Sequence, residues 1–466
     1  MAIELSNLTF SDEDDIVPQS GVEEILNTGI ANTLAGNDRI TGTKDIISAT
    51  NAYSIFNSGT LNTADGDDII TGTIRGSEGT LYFFTASIYN SGTLNTGGGN
   101  DVLSGIGGKN PVFNSGTLNT GDGNDIITGI PNQNKDPYWG SIGVSSSGGI
   151  IDTGDGDDII TGIGDKIGSG VGVSGGSINT GDGNDTITGN GGTTSELSFG
   201  INVNDKGILD TGNGSDTITG TGSSYGIENY FIFNTGDGND KITGNATFGY
   251  GILNVGIMDT GAGDDEITGT NANGWGVYNY SDSTIDTGDG NDKITGTGNN
   301  YGIYNLGTIN TGDGSDIITG TSTTEGGYGI YNPGIINTGN GDDSIIANGG
   351  IHNNGGAINM GDGNDSIISN GGFQSAWNSS GAWFLGEGED YIKGFGSGDF
   401  YGGNGNDTLE LTPGTYTVGI WGEGGKSPIF TKGDQLMITS EFEKLKAGST
   451  IYDFTSLTAG QIIVVA

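Results

Sequence analysis

The sequence predicts an all-β chain wound as a right-handed parallel β-helix or β-roll solenoid, with about 25 residues and three short strands per coil and a cap at each end. Three observations predict it. A unit typified by Thr-Gly-Asp-Gly-x-Asp, followed by Ile-Ile-Thr-Gly, returns with substitutions in fifteen copies that all close on Asp, from Asp38 to Asp407. The residues between copies alternate apolar and polar with period two, the mark of half-buried strands. Glycine accounts for 96 of the 466 residues, and no apolar period of 3.6 residues runs anywhere, which excludes helix.

Composition without order points elsewhere. Hydrophobic residues make up 32% and the formal net charge is -43, the profile of a chain that buries too little apolar surface to offset the entropy of folding. The repeat overturns that reading, because each copy places Ile or Leu at fixed positions and stacked units build a core that one unit cannot. The acidity makes nucleic acid and anionic membrane surfaces poor partners. There are no cysteines to staple the fold. No run of about eighteen apolar residues exists, so membrane insertion is not expected. The segment Met1 to Val17 is acidic and does not read as a Sec signal peptide.

Residues 1–30 carry Ile3, Leu5, Leu8 and Phe10 before the acid run Asp12 to Asp15, and are assigned as an N-terminal cap covering the first open edge. Residues 31–393 are the repeats. The closing Asp recurs after 24 residues (Asp292 to Asp316), 25 (Asp240 to Asp265) and up to 33 (Asp68 to Asp101). In the copy Tyr301 to Gly320 three alternating segments centre on Ile303, Ile309 and Ile318, parted by Asn/Gly turns. Strands stacked about 4.8 Å apart give a rod on the order of 70 Å long over about fourteen coils. Right-handed winding is the default for parallel crossovers. Asn57, Asn90, Asn114, Asn229, Asn254, Asn305 and Asn332 share one turn register and predict an Asn ladder. Phe199, Tyr225, Tyr250, Trp275, Tyr301 and Tyr328 each precede Gly-Ile or Gly-Val and predict an aromatic stack. Larger inserts, Thr73 to Ser87, Ile130 to Ser145 and Asn190 to Ser198, gather on one corner. Residues 394–466 break the repeat grammar and read as a β cap ending in the apolar tail Ile462 to Ala466.

The candidate site lies in the turn. Its closing residue is Asp in every copy, whereas the acid three places earlier becomes Gly98, Asn213, Ala262 or Asn340. A solvated acidic turn would tolerate change at both places. A carboxylate held throughout, beside glycines that bend the backbone and expose carbonyls, is the ligand set of a hard cation, above all calcium. The candidate metal residues are Asp101, Asp125, Asp158, Asp185, Asp216, Asp240, Asp265, Asp292, Asp316, Asp343, Asp365, Asp390 and Asp407. With them go the turn glycines Gly121, Gly123, Gly181, Gly183, Gly236, Gly238, Gly288, Gly290, Gly312, Gly314, Gly361, Gly363, Gly403 and Gly405. The copies ending at Asp38 and Asp68 are set apart, because Leu34 and Ala64 replace the first glycine.

Gly402-Gly403-Asn404-Gly405-Asn406-Asp407-Thr408-Leu409 resembles the nonapeptide of RTX (repeats-in-toxin, haemolysin-type) proteins in full, and Leu385 to Ile392 resembles it in part. The upstream coils resemble divergent copies, with Thr at the first Gly (Thr120, Thr180, Thr235, Thr311). The resemblance implies calcium ions bound by turn carbonyls and Asp between stacked turns, type I secretion through a C-terminal signal within 394–466, and folding in external calcium. The family's roll has two motifs per short turn. Here there is one per longer coil, so one row of calcium sites is expected.

The expected function is a secreted calcium-binding structural protein of the cell surface or extracellular matrix, not an enzyme. Extracellular polysaccharide and other copies joined end to end are the expected partners. Two alternatives carry their own signals. A polysaccharide-active β-helix enzyme needs a base and cations, and the chain offers one histidine, His352, and 14 Lys plus Arg. Lys241 and Lys293 fall at the outward place after the closing Asp, where other residue types also occur. An ice-binding or adhesive face would come from Thr41-Gly-Thr43, Thr71-Gly-Thr73, Thr219-Gly-Thr221, Thr268-Gly-Thr270, Thr295-Gly-Thr297 and Thr319-Gly-Thr321, an array broken at Ile130, Ile163, Asn190 and Asn245. The apolar tail is expected to serve export rather than stability.

Overall fold

The computed structural model describes residues 2–18, 23–45, 51–75, 84–132, 140–165, 167–192, 197–375, 381–421 and 427–466. The interiors of the three insert loops, 76–83, 133–139 and 193–196, lie outside the described residues.

Each coil folds as its alternation demands. Tyr301–Asn305, Thr308–Asn310 and Ile317–Ser322 are strands, and Ile303, Ile309 and Ile318 are fully buried at their centres. Three such side chains cannot order a whole coil by themselves. Stacking supplies the rest, by pairing every strand with its counterpart one coil on. The result is a parallel β-helix with three long sheets.

The chain divides into two compact units, 1–252 with 256–258, and 253–255 with 259–466. In the first, Ala2–Glu4, Glu24–Asn27, Ala52–Asn57, Thr85–Asn90, Val112–Asn114, Ile142–Ser147, Ser169–Ser174, Phe199–Asn204 and Tyr225–Asn229 pair in chain order, all parallel. The register keeps the core in columns: Leu61, Leu94, Leu118 and Ile151 stand over one another. Ala2–Glu4 and Ile16–Val17 add rungs to the same ladders, pairing with Glu24–Leu26 and Arg39–Ile40.

In the second unit Trp275–Asn279, Tyr301–Asn305 and Tyr328–Tyr331 continue the pattern. Its end is closed by a change of direction. Gln435–Ser440 and Lys444–Ala447 pair in parallel with the last coil, while Gly414–Trp421 and Ser427–Lys432 form antiparallel neighbours. Ile462–Val465 pairs antiparallel with Gly414–Thr417, and Ile463 and Val465 are buried. The tail is therefore a packed strand of the cap, although the sequence reading gives it to export rather than stability.

The Asn ladder is present. Nδ2 of each Asn donates to Oδ1 of the next through Asn27, Asn57, Asn90 and Asn114, at 2.7–2.8 Å. In the second unit the series is Asn254, Asn279, Asn305, Asn332 and Asn353, at 2.8–3.0 Å. Asn27, Asn279 and Asn353 join the columns read from the sequence. Between Asn114 and Asn229 the same register carries Ser146, Val173 and Val203, so the ladder has a gap.

Candidate metal column

The turn Thr311 to Asp316 explains its own glycines. Gly312 and Gly314 take φ of +83° and +150°, and a Cβ on either would stand 1.8 and 1.6 Å from the carbonyl oxygens of Gly288 and Gly290 one coil earlier. The glycine carbonyls of one coil thus point at the glycine Cα atoms of the next. Leu34 and Ala64 hold the left-handed backbone at φ of 70° and 63° without glycine, so those two turns keep the shape at some cost in strain.

Beneath the turn runs a column of carboxylates. All fifteen closing aspartates are at most 2% exposed. In the first unit the backbone N–H of Asp15 donates to Oδ1 of Asp38, Asp38 to Asp68, and so on through Asp101, Asp125, Asp158, Asp185, Asp216 and Asp240, at 2.7–2.8 Å. In the second unit Asp265, Asp292, Asp316, Asp343, Asp365, Asp390 and Asp407 repeat the pattern at 2.8–2.9 Å. The N–H of Asp407 ends the series on Oε2 of Glu443, at 2.8 Å.

Oδ1 is used in every coil; Oδ2 is not. In all fifteen aspartates Oδ2 is buried with no well-formed hydrogen bond. Where a Thr stands five places earlier, which excludes only Asp365, Asp390 and Asp407, it can lie close enough to lower the carboxylate's pKa, as Thr311 does for Asp316. Its single hydroxyl proton also serves the carbonyl of the next Thr, as from Thr311 to Thr338 at 3.2 Å, and one proton cannot satisfy both. Burial therefore dominates. It pushes Asp158 up to about 8, Asp316 to about 7 and Asp125 to about 6.

The outer positions behave differently. Asp122 and Asp313 are exposed. The residue before the closing Asp lends its side-chain oxygen to the following coil: the N–H of Asn291 donates to Asp264 Oδ1 at 2.8 Å, and that of Ser315 to Asn291 Oδ1 at 3.0 Å. These positions are consumed by the stack itself.

Among the described residues no cluster of three or more His, Cys, Asp or Glu side chains stands ready to hold one ion. A cation here would have to take most of its ligands from backbone. The donor types suit a hard, oxygen-seeking cation: one orphaned carboxylate oxygen per coil, in the same turn as glycine carbonyls directed along the stack. The candidate aspartates named from the sequence all lie in these columns. Asp38 and Asp68, set apart for lack of the first glycine, lie there too. Glu443 was not legible, because it stands outside the repeat.

Other candidates fall into structural roles. His352 is half-buried in an aromatic column, 5.0 Å from both Tyr328 and Tyr331, and burial lowers its pKa. It lies on the short strand Ile351–His352. Lys293 is exposed and pairs with Glu266 at 2.9 Å. Thr41, Thr71, Ser104, Thr128, Thr161, Thr188, Thr219 and Thr243 form one unbroken outward column in the first unit. The breaks at Ile130, Ile163, Asn190 and Asn245 fall only in the column beside it.

No protein-family model matches the chain, and no curated protein matches it. Among solved structures, one that is similar is described as a hyperactive, Ca2+-dependent, beta-helical antifreeze protein from an Antarctic bacterium. It shares 16% identity, over 82% of this chain and 84% of that chain, with a TM-score of 0.33. A score that low does not align the two molecules coil for coil, and the fold assignment rests on the strand ladders themselves.

Proposed function

We propose that this chain is a secreted, calcium-stabilised structural solenoid of the cell surface or extracellular matrix, exported by a type I route and folded by the calcium it meets outside. The observation that carries the reading is the buried, unpartnered Oδ2 repeated in all fifteen closing aspartates. A buried carboxylate oxygen without a partner costs on the order of 1–3 kcal/mol or more, and a fold that repeats this cost in every coil calls for something to offset it. The closing aspartates would supply the charge and the glycine carbonyls the remaining ligands. A bound cation supplies positive charge between like-charged coils and stabilises only the folded state. No catalytic role is assigned to any residue. Polysaccharide and further copies of the chain remain the partners that suit an acidic surface solenoid.

The test is metal content per chain by mass spectrometry, read beside circular dichroism. Several calcium ions per chain and a cooperative gain of β signal at millimolar calcium are expected. A fully folded chain without bound metal in excess chelator overturns the reading. Export is tested separately: removal of the residues after Thr415 should leave the chain inside the cell, and its normal secretion would sink the type I assignment.

A second reading, ice binding, is favoured by the continuous hydroxyl column from Thr41 to Thr243, which carries Thr at every place but Ser104. Thermal hysteresis of the calcium-loaded protein decides it, and its absence removes that reading.

A further inference from the structure

One place in the first unit departs from the repeat in four successive coils. On the outer face of the first sheet two columns of side chains stand out. One carries Phe56, Tyr89 and Phe113, stacked 5.3 and 5.4 Å apart with rings nearly parallel. The corresponding place in the second unit carries Tyr278, Tyr304 and Tyr331. After Phe113 the register reads Ser145, Gly172, Asn202 and Glu228. The neighbouring column reads Ile142, Ser169, Phe199, Tyr225. Small residues in both columns leave a notch of about 300 Å³, lined by Ile142, Ser169, Gly172, Phe199, Asn202, Asn204, Glu228 and Tyr230 among others.

Its walls are chemically distinct. Phe199 stacks on Tyr225 at 5.1 Å and 3°, and Tyr225 on Tyr250 at 5.5 Å. Phe199 ends that stack, because Ser169 stands on its other side. Its second ring face therefore lines the notch. Opposite lies a polar relay: Asn204 Nδ2 donates to Asn202 Oδ1 at 2.7 Å, and Asn202 Nδ2 donates to Glu228 Oε2. Glu228 also takes a hydrogen bond from Tyr230 and is only 6% exposed. Asn204 Oδ1 is buried with no partner. The relay orients both amides so that acceptors are left over.

We propose that this notch binds one neutral sugar residue of a glycan, its C–H face on Phe199 and its hydroxyls donating to the carboxylate of Glu228, which the relay from Asn204 through Asn202 orients. A purely apolar ligand would bury the spare acceptors without partners. An anion would meet the Glu228 carboxylate and a chain of net charge -43. Against an organic ammonium, burial has pushed Glu228 up to about 7, and its charge is already shared with Asn202 and Tyr230. A pyranose supplies the flat C–H face and the hydroxyl donors together, and the volume suits a single ring. The site uses no residue of the metal column, so its failure leaves the calcium reading untouched.

The test is saturation-transfer NMR on the folded, calcium-loaded chain with four probes: the methyl glycosides of glucose, mannose, galactose and N-acetylglucosamine. Transfer to the ring protons of at least one is expected, with a dissociation constant on the order of millimolar for one ring. Gly172→Tyr should abolish it. That variant restores the residue type usual in this column and requires Ile142, 3.1 Å from the new Cβ, to give only slightly. Asn204→Ala should weaken binding, and Tyr304→Ala, in the other unit, should not. Circular dichroism identical to the parent confirms that each variant is folded. The proposal is overturned if none of the four sugars shows transfer, if transfer survives Gly172→Tyr, or if choline alone binds.

Discussion

Asp316→Asn separates a metal ligand from a structural hydrogen-bond acceptor by the sign of its effect. The amide keeps the side chain's shape, and its oxygen can accept the N–H of Asp292 at the same 2.8 Å. What changes is Oδ2, where a buried charge becomes a neutral N–H₂. Without metal the carboxylate sits at about 7 against an ordinary 3.8. At about 1.4 kcal/mol per unit, and with about half removed for solvent screening beneath an exposed turn, the neutral amide should stabilise the chelated fold by about 2 kcal/mol above neutral pH. With calcium the sign reverses. A lost carboxylate ligand costs about 1.4 kcal/mol for each tenfold fall in affinity. In calcium the assay is the urea midpoint; in chelator it is the concentration of trimethylamine N-oxide needed to fold the chain. Asn should lower both, and Asp313→Asn, on the exposed side of the same turn, should move neither appreciably. If Asp316→Asn stabilises in both media, the column is a proton-linked hydrogen-bond ladder and the metal assignment is wrong.

Further outcomes follow from the same geometry. In chelator burial holds twelve of the closing aspartates between about 6, as at Asp125, and about 8, at Asp158, above their unfolded 3.8, so the native state holds more protons. Stability should be greatest below about pH 4 and fall as pH rises through 6 to 8; circular dichroism against pH checks it, and a rise over that window contradicts it. Asn305→Ala removes a fully buried amide that donates to Asn332 Oδ1 and Ile335 O, each at 2.8 Å, and accepts from Asn279. It should cost about 2–3 kcal/mol in urea melts, and Asn310→Ala, on a more exposed ladder, less than about 1. Deleting 461–466 uncovers the strand Gly414–Thr417 and the sites of Ile463 and Val465, and should lower stability by about 2–4 kcal/mol. An unchanged midpoint would mean that the tail does not close the end.

Much of this molecule was legible in one dimension because a solenoid repeats its contacts. When each residue touches its own counterpart one coil away, a column in the sequence is a column in space. Ile303, Ile309 and Ile318 could be named as core, and Asp316 as the buried acid, from period and invariance alone. The Asn ladder followed by the same logic, and Asn27, Asn279 and Asn353 were missed only because their copies are less regular.

What the repeat could not announce lies where it is broken or where contact comes from outside it. Glu443 receives the last N–H of the aspartate column although nothing near it resembles the motif, because the cap folds back across the chain's final coil. Ile462–Val465 reads as a loose apolar tail until Gly414–Thr417 is seen beside it. Leu34 and Ala64 look disqualifying, yet a left-handed backbone is costly rather than forbidden, and stacking holds it in place. The free face of Phe199 exists only because two columns turn small together beside it, a coincidence of registers that no single copy of the motif displays. Periodicity determined the coil and the column of acids; side-by-side registry, which depends on how loops of unequal length bring strands level, decided where the surface differs from itself.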